Sequence, residues 1–335
     1  MSYGKFLIKR ALQGILVIWG AVTVLFGLRA ISPGDPVDMI VGQAPLDAET
    51  RELIRARHGL DQPLIVQYLD YLQGLLVGDF GYSYDSQRDV SIMVLERIPA
   101  TLELAIAATI VALVIAIPLG VVSGTRRNQP ADYSATMFTL VGISTPNFWL
   151  GIMLILLFAV WIEFPIIGSF PTGRRPVAFH DAVWTLITAQ EGDALLTWLR
   201  HIILPAITLG TYFTALITRL TRSGILEEMG KPYATAARAK GIPGVLVRYK
   251  HILRNTMIPI ITVLGLQLGV LMGGAVVTET VFSWPGLGLR LISAIHSLDW
   301  PLIQGIIIFI AVGYVTINVV VDATYAYLNP RVLAE

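Results

Sequence analysis

The chain has 335 residues, of which 55% are apolar and only 14% charged, with a formal net charge of +1. Soluble domains carry about 25% charged residues, so this balance excludes an ordinary water-soluble protein, and the small net charge offers no basic field for nucleic acid. Cysteine is absent, which excludes disulfides, thiolate metal sites and cysteine nucleophiles.

Lys5, Lys9 and Arg10 precede the first apolar run in the manner of a signal peptide. No Ala-x-Ala cleavage site follows, so the run is read as a retained first span. A span takes about 20 apolar residues. Uncharged intervals predict six: 11–28, 104–125, 133–162, 201–218, 255–278 and 300–321. The third is long for one straight helix: either Pro146 kinks it or part of it lies outside the hydrocarbon. The fourth is expected to continue as helix past Arg219 and Arg222. The expected class is therefore an all-α membrane protein with six transmembrane helices. It divides into residues 1–28 (N-terminus and first span), 29–103 (an extracytoplasmic subdomain) and 104–335 (a five-span core with a loop at 219–254).

Orientation follows from Lys and Arg counts. With the N-terminus inside, the inner segments hold 14 such residues and the short outer loops 163–200 and 279–299 hold 4. Both termini and the loop 219–254 are thus expected in the cytoplasm. In the long first outer segment, 47–58 and 63–76 read as helices and Gly78-Asp79-Phe80-Gly81 as a loop. Packing of this segment on the bundle is favoured over direct contact with a substrate.

Gly120 and Gly124, and Gly265, Gly269 and Gly273, stand four residues apart in spans two and five. That spacing permits close helix crossing, either within the chain or against a partner chain. Past span five, Glu279 is a carboxylate near a membrane boundary, costly unless paired or wetted. Pro285-Gly286 predicts a turn, and Trp284 and Trp300 suit a membrane interface. The segment 278–288 also resembles peptide permeases of the ABC importer family, and that resemblance implies an outer gate or receptor contact at Glu279, Trp284, Pro285 and Gly286, with a static interfacial anchor as the alternative.

The basic stretch 227–259 is the organising feature. Gly230 can end one helix, Pro232 suits the first turn of the next, and Gly241 can end that one. About two turns lie between, carrying Ala234, Ala236, Ala237 and Ala239, with Arg238 and Lys240 in the last turn where cations suit the helix dipole. Small side chains on a short helix let another surface approach the backbone.

Ala236-Ala237-x-x-x-Gly241 resembles the cytoplasmic loop motif of ABC importer permeases, which reads Glu-Ala-Ala, three residues, Gly, nine residues, Ile-x-Leu-Pro. Thr235 replaces Glu, His251 replaces Ile, Leu253 matches, and Arg254 replaces Pro. These departures resemble the dipeptide/oligopeptide/nickel branch, as do Pro33-Gly34-Asp35-Pro36, Gly59-Leu60-Asp61-Gln62-Pro63, Gly78-Asp79-Phe80-Gly81, Pro99-Ala100-Thr101-Leu102-Glu103 and 278–288. The resemblance runs from Lys9-Arg10 to Asn329-Pro330-Arg331. It implies a type I importer permease of a bacterial or archaeal cytoplasmic (inner) membrane. It further implies a coupling helix on which Tyr233, Ala236, Ala237, Arg238, Lys240, Gly241 and Arg254 meet an ATPase. The implied partners are a second homologous permease, two ATPase subunits, an extracytoplasmic substrate-binding protein and membrane lipid. ATP and Mg would be bound by the ATPase chains, with no cofactor here. The implied cargo is a dipeptide or oligopeptide; nickel, glutathione or another small solute is the alternative.

No catalytic constellation emerges. Gly168-Ser169-Phe170-Pro171-Thr172-Gly173-Arg174-Arg175 half-matches a P-loop but lacks its Lys-Ser/Thr ending and follows no strand. The five histidines show no i, i+4 metal pair. A self-contained secondary transporter or channel would place ionisable residues near mid-span. Here Gln267 and Asn318 are the main polar exceptions.

Overall fold

The computed structural model describes residues 3–33, 35, 37–38, 47–57, 59–161, 170–171 and 175–328. The described chain is helical apart from turns, loops and one isolated bridge, Tyr82 to Asp89. A bilayer leaves backbone groups no water to bond, so long apolar intervals close their hydrogen bonds internally as helices.

The helices are α1 (Tyr3–Ile31), α2 (Ala48–Arg57), α3 (Leu64–Leu76), α4 (Val90–Leu95), α5 (Ile98–Thr125), α6 (Pro130–Ser144) and α7 (Asn147–Ile155). They continue as α8 (Phe179–Ala189), α9 (Asp193–Met229), α10 (Pro232–Ala239), α11 (Leu253–Gly274), α12 (Val276–Val281), α13 (Leu287–His296) and α14 (Trp300–Leu328). A wide π turn, Leu156–Trp161, prolongs α7, and another, Val247–Ile252, leads into α11. Among the described residues four helices are long and apolar enough to cross a membrane, or six if each of two bent pairs is one span.

The bends refine the predicted spans. The third breaks by 103° between α6 and its continuation, with Pro146 capping α7. The fifth bends by 48° near Pro259, which cannot donate to the helix ladder. The fourth begins at Asp193, inside the predicted loop, and runs unbroken past Arg219 and Arg222 to Met229. Gly168, Ser169, Thr172, Gly173 and Arg174 of the P-loop-like stretch, His58, and Asn329-Pro330-Arg331 lie outside the described residues.

The pair α5 and α9 forms the centre. On α5, Ala100, Leu104, Ala108, Ala112 and Ala116 recur every fourth residue, all buried, and Gly120 and Gly124 continue the row. Against it α9 sets Ile202, Leu209, Phe213 and Ile217. Backbones nearly touch. A Cβ on Gly210 would lie 2.7 Å from the Ala108 carbonyl oxygen, and one on Gly124 2.8 Å from Ile225 Cγ2. Small-residue rows of this kind replace the hydrophobic drive that lipid does not supply.

The glycines of span five resolve the same way, within the chain. A Cβ on Gly265 would run into Val321, one on Gly269 would lie 2.9 Å from the Tyr314 ring, and one on Gly273 3.5 Å from Ile310. All three neighbours are on α14. On its other side α14 holds α1, through Arg10 Nε to Asp322 at 3.2 Å and the Tyr3 hydroxyl donating to the Ala323 carbonyl at 3.1 Å.

The segment 29–103 packs on the bundle. Leu72 and Leu75 of α3 meet Val22, Leu25 and Ile308. Val90, Met93 and Val94 of α4 join Leu287, Leu302, Ile303 and Ile306. Asp299, fully buried just before α14, accepts from the Ser83 hydroxyl at 2.5 Å and the Tyr84 amide at 3.0 Å, which pins the 79–87 loop.

Candidate functional site

The candidate site is built at the end of the bundle that carries the basic loop. Pro232 occupies the first turn of α10, where its missing N–H costs nothing. At the other end Gly241 has φ +74°. Its amide donates to Arg238 O at 2.9 Å, and the Ile242 amide donates to Ala237 O at 3.3 Å. Those two bonds are a Schellman cap, which requires a left-handed residue and favours glycine. Gly241 therefore terminates the helix through its own backbone.

The small residues of α10 divide by face. Ala234 and Ala237 are buried among Val121, Ile225, Val247 and Ile252 of the same chain. The expectation that Ala237 lies on the face offered to a partner is corrected: it turns inward. Thr235, Ala236, Arg238, Ala239 and Lys240 form the exposed face, Tyr233 is half-buried, and Arg254 is exposed beside them at the start of α11.

One carboxylate fixes this plate and a second braces α9 beside it. Glu228, nearly buried at the end of α9, receives Lys231 Nζ, the Tyr233 hydroxyl at 2.5 Å and Asn255 Nδ2 at 3.3 Å. One side chain thus ties the ends of α9, α10 and α11. Nearby, Asp132 takes a forked pair from Arg222 at 2.7 and 2.9 Å, the Ser123 hydroxyl at 2.5 Å and the Asn128 amide at 3.0 Å. Bidentate charge-assisted bonds hold orientation as well as distance. Sequence reading did not assign Glu228, Asp132 or Asn255. Only the spacing Glu228-x-x-Lys231 gave a local hint; the other partners are distant in the chain.

At the opposite end, Glu279, Trp284, Pro285 and Gly286 do come together, in a buried knot. Glu279 is fully buried and accepts from the Thr101 hydroxyl at 2.8 Å and the Leu289 amide at 3.0 Å. Burial pushes its carboxyl up to about 7 against the pull of those donors. Trp284, expected at a membrane interface, is instead 1% exposed, with its indole N–H donating to Ala100 O at 2.7 Å. Trp300 is only half-buried, at the start of α14. Pro285 O accepts from Arg97 Nη1 at 3.4 Å. Gly286 has an extended backbone, φ −94°, so the glycine serves closeness: a Cβ there would strike the Glu279 carboxylate. The positive φ of this turn sits at exposed Ser283, +49°. Alongside, Glu103 pairs with Arg175 and accepts from Trp198 Nε1 at 3.0 Å, and the Arg175 guanidinium lies 5.7 Å from the Trp284 ring centre.

Among the described residues no group of three His, Cys, Asp or Glu is arranged to hold a metal ion.

Residues 116–334 match the family described as binding-protein-dependent transport system inner membrane component. Residues 3–105 match the N-terminal region of such membrane components. The chain is 39% identical over 334 residues to the dipeptide transport system permease protein of Escherichia coli, covering 98% of each chain. It is 39% identical over 331 residues to a di/tripeptide transport system permease protein of Pseudomonas aeruginosa, again covering 98% of each. It is 36% identical over 328 residues to an oligopeptide transport system permease protein of Bacillus subtilis, also covering 98% of each.

Proposed function

The chain belongs to the inner-membrane components of binding-protein-dependent transport systems, and from that premise we propose that it carries dipeptides or oligopeptides inward as the permease subunit of an ABC importer. It is a transport subunit rather than an enzyme, and ATP hydrolysis belongs to partner chains. The peptide cargo rests on the relatives, each described as a dipeptide, di/tripeptide or oligopeptide permease.

The observation that carries the mechanism is the way α10 is mounted. Its exposed face is short, small and basic, while Glu228 and the Ala234–Ala237 contacts bind its other face to α9 and α11. A push on the exposed face is therefore delivered to two spans at once. We assign that face to an ATPase groove, with ATP and Mg held in the ATPase chain. A full assembly has two ATPases, a second homologous permease and an external receptor, surrounded by membrane lipid. Both termini and α10 lie in the cytoplasm, in line with the Lys and Arg distribution. A peptide zwitterion cannot cross about 30 Å of hydrocarbon unaided, so the two permeases enclose a wet passage that opens alternately. The Glu279–Gly286 turn is the outer gate, shut in the knotted arrangement described above.

The test is reconstitution of the assembly in proteoliposomes with its receptor and a radiolabelled dipeptide. ATP-dependent uptake, competed by unlabelled peptides and indifferent to nickel and glutathione, is expected. Uptake of nickel or glutathione in place of peptide would reassign the cargo. No ATP dependence would remove the coupling assignment.

A further inference from the structure

Where residues 70–87 meet the bundle they border a partly open cavity of about 270 Å³. Its walls come from the last turn of α1, from α3, from the 79–87 loop and from the first turns of α14. The size falls near the lower end of small-molecule sites, about 300–1,000 Å³.

The polar groups in this wall are unfinished. Gln304 is only 1% exposed, lines the cavity, and its Nε2 has no hydrogen-bond partner among the described residues. The hydroxyl of Tyr71, which also lines it, is buried and equally unpartnered. A buried donor without a partner is costly, and both of these belong to side chains that line the one cavity. Arg29, in the same wall, has no carboxylate partner among the described residues. Its guanidinium is near enough to the Tyr71 and Tyr84 phenols to oppose the upward push that burial gives both. The wall is firmly held, since Asp299 bonds Ser83 and Tyr84 behind it.

Depth sorts the charges. The donors Arg29, Tyr71 and Gln304 are half-buried or fully buried, whereas Asp70 and Asp79 line the same cavity and are exposed. Asp79 spends one oxygen on the Gly81 amide at 2.8 Å. The arrangement offers donors inside for an anionic oxygen group and carboxylates at the mouth for a cation.

We propose that this cavity is a binding site for a small zwitterion, with its carboxylate or phosphate oxygen on Arg29, Tyr71 and Gln304 and its ammonium at Asp70 and Asp79. Two sources carry that chemistry: a free peptide or amino acid, and the headgroup of phosphatidylethanolamine. The site lies apart from the α10 plate and from the Glu279 knot. It does not depend on what the assembly transports.

The test uses the assembled permease in nanodiscs, without receptor or ATP, so that its failure leaves peptide uptake untouched as a separate measurement. Discs of phosphatidylglycerol alone are titrated with radiolabelled glycylglycine. Parallel discs containing phosphatidylethanolamine are analysed for lipid retained on the purified protein. Saturable glycylglycine binding is expected, about tenfold or more weaker in Arg29→Gln and in Gln304→Leu, at unchanged melting temperature. Retention of phosphatidylethanolamine that both variants abolish would assign the site to the headgroup and equally support the zwitterion chemistry. Tyr71→Phe serves if either variant fails to fold. Neither saturable binding nor variant-sensitive lipid retention, or binding that all three variants leave unchanged, would overturn the proposal.

Discussion

Ala236 and Ala237 are neighbours with opposite surroundings, and a charge separates their roles. Ala237 is 8% exposed inside the chain's own cluster, so arginine there buries an unpaired charge at a cost of several kcal/mol. Ala237→Arg is expected to lower the yield of folded permease. Ala236→Arg, on the exposed face, is expected to leave melting unchanged and to abolish receptor-stimulated ATP hydrolysis in the assembly. Normal hydrolysis with Ala236→Arg would detach α10 from the ATPase. Glu279 sets a second expectation. Its folded carboxyl is raised from 4.5 to about 7, chiefly by burial. Its contribution is complete below pH 4.5, where the acid is protonated folded and unfolded alike, and is lost as pH rises through about 7. The melting temperature should fall between pH 5 and pH 8 in the wild type and less steeply in Glu279→Gln. Equal slopes would place the titration elsewhere.

The helices show what a sequence discloses and what it hides. Pro232 and Gly241 marked both ends of α10, because a missing donor and a left-handed residue are local requirements. Pro146 marked the break in the third span for the same reason. The alanine row of α5 was equally present in the sequence. Alanine at four-residue spacing reads as ordinary helix until the partner, α9, is known to lie on it. Trp284 was misplaced because an aromatic near a membrane boundary suits the interface and the core alike; the Ala100 carbonyl that accepts its N–H is 184 residues away. The span-five glycines could face either their own chain or another, and in the fold they lie against Val321, Tyr314 and Ile310 of their own α14. Gly269→Leu should therefore push α11 off α14 and lower melting of the isolated permease. An unchanged melting temperature, with only assembly or transport impaired, would return those glycines to an interface between subunits.

For the whole molecule the absence of cysteine is an advantage, since any introduced thiol is the only one in this chain. Asp61→Cys, in the exposed turn before α3, should react with an impermeant reagent in intact cells. Ala239→Cys, on the exposed face of α10, should react only after the membrane is opened. The reverse pattern would invert the topology and with it the coupling mechanism. Ser283→Cys reports on the gate: its reactivity should differ between resting and ATP-trapped assemblies if the Glu279–Gly286 knot opens. Equal reactivity in a transporting complex would leave the knot as a fixed brace. The all-helical bundle was legible because hydropathy acts over whole segments. The carboxylate hubs at Glu228, Asp132 and Asp299 were not, since each gains its meaning from partners that only the fold assembles.

The break between α6 and α7 reaches beyond the protein. α6 has 15 residues, about 22 Å at 1.5 Å per residue, against a hydrocarbon layer of about 30 Å. The chain turns there by 103° while Leu140, Val141, Phe148 and Trp149 remain exposed around the corner. The Thr145 hydroxyl and amide both donate to Val141 O, and Pro146 has no N–H to offer the carbonyls of this turn. Acyl chains cannot satisfy those groups, so lipid beside the corner is expected to thin and admit water, at a cost of a fraction of a kcal/mol per Å of mismatch. Bilayer thickness then becomes a control on the transporter. Peptide uptake should decline as the assembly is moved from short-chain to long-chain phosphatidylcholines, with ATP binding unaffected. A rate indifferent to chain length would mean that another subunit, rather than lipid, fills the notch.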